Sequence, residues 1–190
     1  MPVLNKIQMK LLLLMGIGLL SFSTATAQAP KEIPEQDLVK MKLKIHKEVD
    51  AQYKKLLENP DKDNYMSKTA MDFQMDTTRI EQFMKQRIAI DYSTMGMVQA
   101  SYDAEKEYDQ LLNKYYQQLL KLMETRDKPL LIEVQRNWLK YRDSERKMNA
   151  LLTEEKYSGG GTIQRVILAA AYLEITKKRV FELQGYLDRI

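Results

Sequence analysis

The side chains with the greatest chemical potential in this sequence do not assemble into a reaction centre. His46 is the only histidine, and no cysteine occurs. A catalytic zinc site ordinarily draws on several His or Cys ligands. Cysteine nucleophiles, disulfide frameworks and iron–sulfur clusters are excluded outright. A Ser/His/Asp triad would depend on His46, and no nucleophile-elbow motif accompanies any serine. Glu154 and Glu155 are adjacent, so on a helix they point in different directions. Glu105 and Asp109 lie four apart and could share a cation, but acidic pairs of this kind are routinely solvated. Gly159-Gly160-Gly161 lacks the Lys-Ser/Thr that follows a phosphate-binding glycine run. No catalytic residue, metal or cofactor is assigned, and the chain reads as a non-enzyme.

The elements around these residues are helical. Seven Gly and five Pro among 190 residues, with 44% hydrophobic content, favour a globular helical protein over sheet or disorder. Leu38, Met41, Ile45, Val49, Tyr53 and Leu56 recur at spacings of three or four, the stripe of an amphipathic helix over Glu35–Glu58. Asn59-Pro60-Asp61 should stop it. Residues 62–76 read as irregular, and Thr77 or Thr78 as the cap of a short helix carrying Ile80, Phe83, Met84 and Ile88.

Thr94 is placed at the cap of a long helix with Val98, Tyr108, Leu112, Tyr115, Leu119 and Leu122 on its stripe. Asp127 and Pro129 open the next, with Leu131, Val134, Trp138, Tyr141, Met148 and Leu152 on one face. After the glycine triplet, Thr162 begins a last helix carrying Val166, Ala170, Leu173, Thr176, Val180, Leu183 and Leu187. Short connectors between long helices make antiparallel neighbours. The expected fold is therefore all-α, an up-down-up three-helix bundle over about 94–190 with an additional N-terminal amphipathic helix. Three units follow: residues 1–27 as a leader, 28–93 as a helical extension and 94–190 as the bundle.

The leader has the form of a secretory signal. Lys6 and Lys10 precede an apolar or small run over Leu11–Phe22, and Ala25-Thr26-Ala27 supplies small residues for cleavage before Gln28. At 12 residues the run is shorter than the roughly 20 that a membrane span needs. The expected location is periplasmic or secreted, with no transmembrane helix in the mature chain. Loss of Lys6 and Lys10 leaves 28 basic against 26 acidic residues, so the net charge falls from +4 to +2. The electrostatic footprint of nucleic-acid binding is missing.

Within the bundle, four motifs stand in order. They are Tyr102, Asp109, Leu112, Asn113 and Tyr116; Gln135, Trp138, Tyr141, Arg142 and Asp143; Gly160-Gly161-Thr162; and Leu173, Thr176 and Arg179. This arrangement resembles the LprI-like family of exported bacterial proteins, named for a lysozyme inhibitor, over about Thr94–Leu187. The resemblance implies a helical, non-catalytic protein with a protein partner, a lysozyme or another peptidoglycan hydrolase. An alternative role is a structural or interaction module of the cell envelope. Family members commonly carry paired cysteines where this chain has Arg146 and Ala171, and a further cysteine near Ala100, so this is a cysteine-free variant.

Two surfaces are candidates for the partner. The loop of Gly159, Gly160, Gly161 and Thr162 could enter a cleft, although a helix stop and cap need the same residues. Trp138, Arg142 and Asp143 could form an exposed patch. The favoured reading instead puts Trp138 in the core and makes Asn113, Gln135, Arg142, Asp143, Thr176 and Arg179 a polar layer that sets helix register, with Tyr116 also structural.

Overall fold

The computed structural model describes residues 29–58 and 67–190. The leader over 1–27 and the helix stop at Asn59-Pro60-Asp61 lie outside the described residues. Six helices and no strand occur among those described: α1 (Glu35–Glu58), α2 (Lys68–Ile90), α3 (Thr94–Leu122), α4 (Lys128–Leu152), the single turn α5 (Glu155–Ser158) and α6 (Ile163–Leu187). The expected all-α bundle is what the chain forms.

The closest pair is α3 with α6, which run parallel, as up-down-up connectivity requires. Their shared core holds Tyr108, Leu112, Tyr115 and Leu119 of α3 against Leu173, Val180, Leu183 and Leu187 of α6. Burying a large apolar side chain fully contributes about 1.5–3 kcal/mol, so this stripe is the main source of cohesion.

α2 differs from the expected short helix. It begins at Lys68, where the Ser67 hydroxyl accepts from the Ala70 N–H at 3.1 Å. Thr77 lies inside the helix, its hydroxyl within 3.0 Å of the Phe73 carbonyl and 3.1 Å of that of Gln74. A threonine satisfied by the preceding turn does not need to cap. Burial of Phe73, Met75 and Ile80 carries the helix through a polar stretch that propensity alone would leave irregular. Phe73 and Ile80 join the same core as α3 and α6, and the Phe73 ring meets Tyr115 and Phe181 edge-on, with centroids 5.2 and 4.9 Å away.

α2 therefore occupies a side of the α3–α6 pair, and this changes the role of α4. Of the expected α4 stripe, Leu131 is buried and Val134 and Trp138 are half-buried, whereas Tyr141, Met148 and Leu152 are exposed. α1 packs on α2 through Ile45, Val49 and Met75, and Lys42 reaches across to Glu107 of α3. Its far half is tied by Tyr53, whose phenol donates to Asp72. Burial pushes the Asp72 carboxyl up, but hydrogen bonds from Lys68 and Tyr53 outweigh it and hold the group below the usual range.

The α2–α3 turn shows one requirement for glycine. The Ser93 hydroxyl caps α3 by accepting from the Gly96 N–H at 3.0 Å, one position before the expected Thr94. A Cβ on Gly96 would collide with Asp91, whose Oδ1 accepts from the Ser93 N–H at 3.1 Å.

Candidate functional site

α4 stands partly clear of the core, with an opening on each side. Toward α3 lies a cleft of about 380 Å³, lined by Asp109, Asn113 and Tyr116 of α3 and by Gln135, Arg136 and Arg142 of α4, with Leu112, Ile132 and Leu139 between them. Toward α6 lies a groove of about 720 Å³, lined by Trp138 and Tyr141 on one wall and by Ile175, Lys178, Arg179 and Phe181 on the other. Most of the motif residues therefore line one opening or the other.

Two of them are joined in a buried pair. Arg179 is 3% exposed, and its Nε and Nη2 donate to Gln135 Oε1 at 3.1 and 3.0 Å. Its Nη1 donates to Glu182 at 3.0 Å. A guanidinium taken from water requires such partners. The Arg179 guanidinium also lies 5.8 Å from the Trp138 ring, and that of Arg142 lies 5.5 Å from the same ring. Trp138 thus sits half-buried, packed against the core and held between two arginines, which places it between the two sequence readings.

The remaining polar residues are separate. Arg142 donates to Asp143 Oδ1 from Nε at 3.0 Å and from Nη2 at 2.9 Å, with Asp143 facing solvent. Asn113 is exposed and donates to the Asp109 backbone carbonyl at 3.0 Å. Tyr116 packs half-buried against the core. Thr176 is fully buried away from Gln135, where its hydroxyl lies 3.2 Å from Glu105 Oε1.

Around Thr176 is a cluster the sequence reading missed. Arg146 pairs with Glu105 and also reaches Thr176 Oγ1 at 3.4 Å. Its guanidinium sits 5.0 Å from the Tyr172 ring, and the Tyr172 hydroxyl donates to the Arg146 carbonyl at 3.2 Å. Glu105 and Asp109 therefore do not share a cation. Each faces its own arginine, Arg146 for Glu105 and Arg142, at 3.9 Å, for Asp109. Two acids four apart on one helix and two arginines four apart on an antiparallel neighbour are in register, a spacing visible in the sequence.

The glycine loop lies beyond the end of α4. Gly159, Gly160 and Gly161 all have positive φ (76°, 80° and 92°), a region costly for residues with a Cβ. Gly159 closes α5 by donating to the Glu155 carbonyl at 2.9 Å, and Gly160 N–H donates to Ser158 Oγ at 3.1 Å. Gly159, Gly161 and Thr162 are exposed, and no atom approaches within 4 Å of a Cβ built on Gly159 or Gly161. Tyr157 and Ile163, on either flank, are 58% and 53% exposed. Thr162 stands at the N-cap of α6 without a side-chain capping bond.

The family model for lysozyme inhibitor LprI matches residues 88–183, just over half of the chain. The chain belongs to the LprI family. The match runs from the last turn of α2 to the last turns of α6, and so contains both α4 openings and the glycine loop. Neither a curated protein nor a solved structure matches this LprI-family chain. In this cysteine-free chain Arg146 occupies one place where the resemblance implied a bridge. There the Glu105–Arg146–Thr176 cluster links α3, α4 and α6 by polar contacts. No described helix is long and apolar enough to cross a membrane.

Proposed function

We propose that this protein is an exported, non-catalytic binding protein of the bacterial cell envelope that blocks a lysozyme or another peptidoglycan hydrolase. Family membership carries this reading, and the signal-like leader agrees with it. The docking element is the loop of Gly159, Gly160, Gly161 and Thr162. Three consecutive positive-φ glycines make it narrow, internal hydrogen bonds give it a defined shape, and exposed Tyr157 and Ile163 flank it with apolar surface. A preorganised loop loses less freedom on binding than a floppy one.

The test places a side chain in the loop without backbone strain. Thr162 has φ −68°, so Thr162→Arg leaves the glycines intact. Slowed lysis of cell-wall suspension by the wild-type protein should be weakened about tenfold or more in this variant, with an unchanged thermal melt; a tenfold change corresponds to about 1.4 kcal/mol of binding. Equal potency of the two proteins would remove the loop from the interface. Export is tested by the N-terminus of protein recovered from outside the cytoplasm, which should begin at Gln28; an intact Met1 terminus would refute cleavage.

A further inference from the structure

The groove between α4 and α6 is part of a longer apolar face. α4 runs antiparallel to α6, with Gln135 against Arg179 at one level and Arg146 reaching Thr176 at another. Steps of three, four and seven residues carry both groove walls toward the glycine loop. On α4 they lead from Trp138 and Tyr141 to Met148 and Leu152, and on α6 from Phe181 and Glu174 to Ile167. Tyr141, Met148, Leu152, Ile167 and Phe181 are each between 47% and 54% exposed. The α4 members have the spacing of a core stripe, yet they lie in solvent because α2 occupies that side of the core. Half-exposed side chains of this size offer on the order of 100 Å² each. The five together present roughly 500 Å², near the top of the range for the largest apolar patch on a monomer. With Trp138, Ile175 and the polar rim added, the face approaches the roughly 800 Å² per partner of a standard interface. Aromatic and methionine side chains are also the types that interface centres concentrate.

The charges on this face say what covers it. Of those lining the groove, Lys177 pairs with Glu81, and Arg179 pairs with Glu182. Glu174 and Lys178 remain, both exposed, and neither makes an ion pair or a side-chain hydrogen bond among the described residues. They are one acid and one base, four apart on α6. A lipid surface would strip water from both without pairing either. Blocking an enzyme cleft calls for a protrusion, and this face is a trough. A second copy of the chain supplies both missing partners at once. About a twofold axis that crosses α6 between Glu174 and Lys178, two α6 helices lie antiparallel, and each Glu174 meets Lys178 of the other copy. A twofold interface needs a patch complementary to itself, and an unpaired acid and base within an apolar face meet that condition.

We propose that the α4/α6 face is a twofold interface between two copies of this chain, in which Glu174 of each copy pairs with Lys178 of the other while the apolar flanks close the groove. Neither residue belongs to the glycine loop, so this interface holds or fails independently of hydrolase blocking.

The test is sedimentation equilibrium of the mature chain, Gln28–Ile190, with two charge reversals at exposed positions. The wild-type chain should dimerise with a dissociation constant of about 50 µM or tighter. Glu174→Lys alone sets Lys against Lys across the axis, and Lys178→Glu alone sets Glu against Glu. Each should weaken dimerisation about tenfold or more, with the helical circular dichroism unchanged. An equimolar mixture of the two variants makes both pairs complementary again, so it should dimerise within about threefold of wild type. Wild-type protein that stays monomeric at about 300 µM would overturn the interface. A dimer indifferent to both reversals would put self-association on another surface and overturn it too. Weakening that the mixture does not repair would overturn the twofold pairing of Glu174 with Lys178.

Discussion

Arg146 of α4 links three helices, reaching Glu105 of α3 and Thr176 of α6. It meets Glu105 and Thr176, lies against Tyr172, and is about three-quarters buried, with side-chain exposure of 26%. Truncation would leave Glu105 and Thr176 without their shared donor. A hydrogen bond to a charged group contributes about 1.5–3 kcal/mol, so Arg146→Ala should lower stability by about that amount. In urea this would appear as a lower midpoint with an unchanged slope; an unchanged midpoint would show the cluster to be energetically idle. The cluster was legible only in part. The i, i+4 spacings of Glu105/Asp109 and Arg142/Arg146 are in the sequence, but their pairing requires knowing that α3 and α4 are antiparallel and in register. The Gln135–Arg179 pair was closer to the surface of the reading, because both residues belong to the motifs and were assigned to one polar layer. Thr176 was placed in that layer too, and instead lies with Arg146, about one helical turn from Arg179.

At the scale of elements, the seam between α2 and α3 repeats one device. Tyr108 donates to Glu81 at 2.6 Å, and Tyr115 donates to Asp76 at 2.8 Å. Burial pushes both phenols far above their ordinary value near 10, and the bonded carboxylates raise them further. In the fold they keep protons that the unfolded chain loses as pH rises past about 10. The contribution is therefore complete below that pH and declines above it. Two of the 11 tyrosines should fail to ionise until the protein unfolds, as read by phenolate absorbance against circular dichroism. Titration of all 11 near pH 10 with the helices intact would contradict the seam. The helix periods were readable wherever apolar residues recur cleanly, as in α1, α3 and α6. α2 was shortened because its first turns are polar and their order comes from tertiary burial of Phe73 and Met75. The α4 stripe was read correctly as apolar, but periodicity does not say what covers a stripe, and α2 takes a place on the core that α4 alone would not fill.

For the whole molecule, the decisive features are family membership, a formal net charge of only +4, which the proposed cleavage of the leader lowers to +2, and a glycine loop beyond the end of α4 in a helical bundle. Near-neutral charge gives little long-range steering, so association with a basic enzyme should proceed at about 10⁵–10⁶ M⁻¹s⁻¹ and change little with salt. On the proposed reading, affinity comes from the fit of the loop and its apolar flanks. On the proposed reading the chain occupies another protein, and the most direct measurement is lysis itself. The mature chain, Gln28–Ile190, is mixed with a panel of lysozymes and the turbidity of a cell-wall suspension is followed. The expected result is a saturable slowing of at least one enzyme at micromolar protein. Undiminished lysis by every enzyme at about 50 µM, where a complex with a 1 µM dissociation constant would be nearly saturated, would contradict the account.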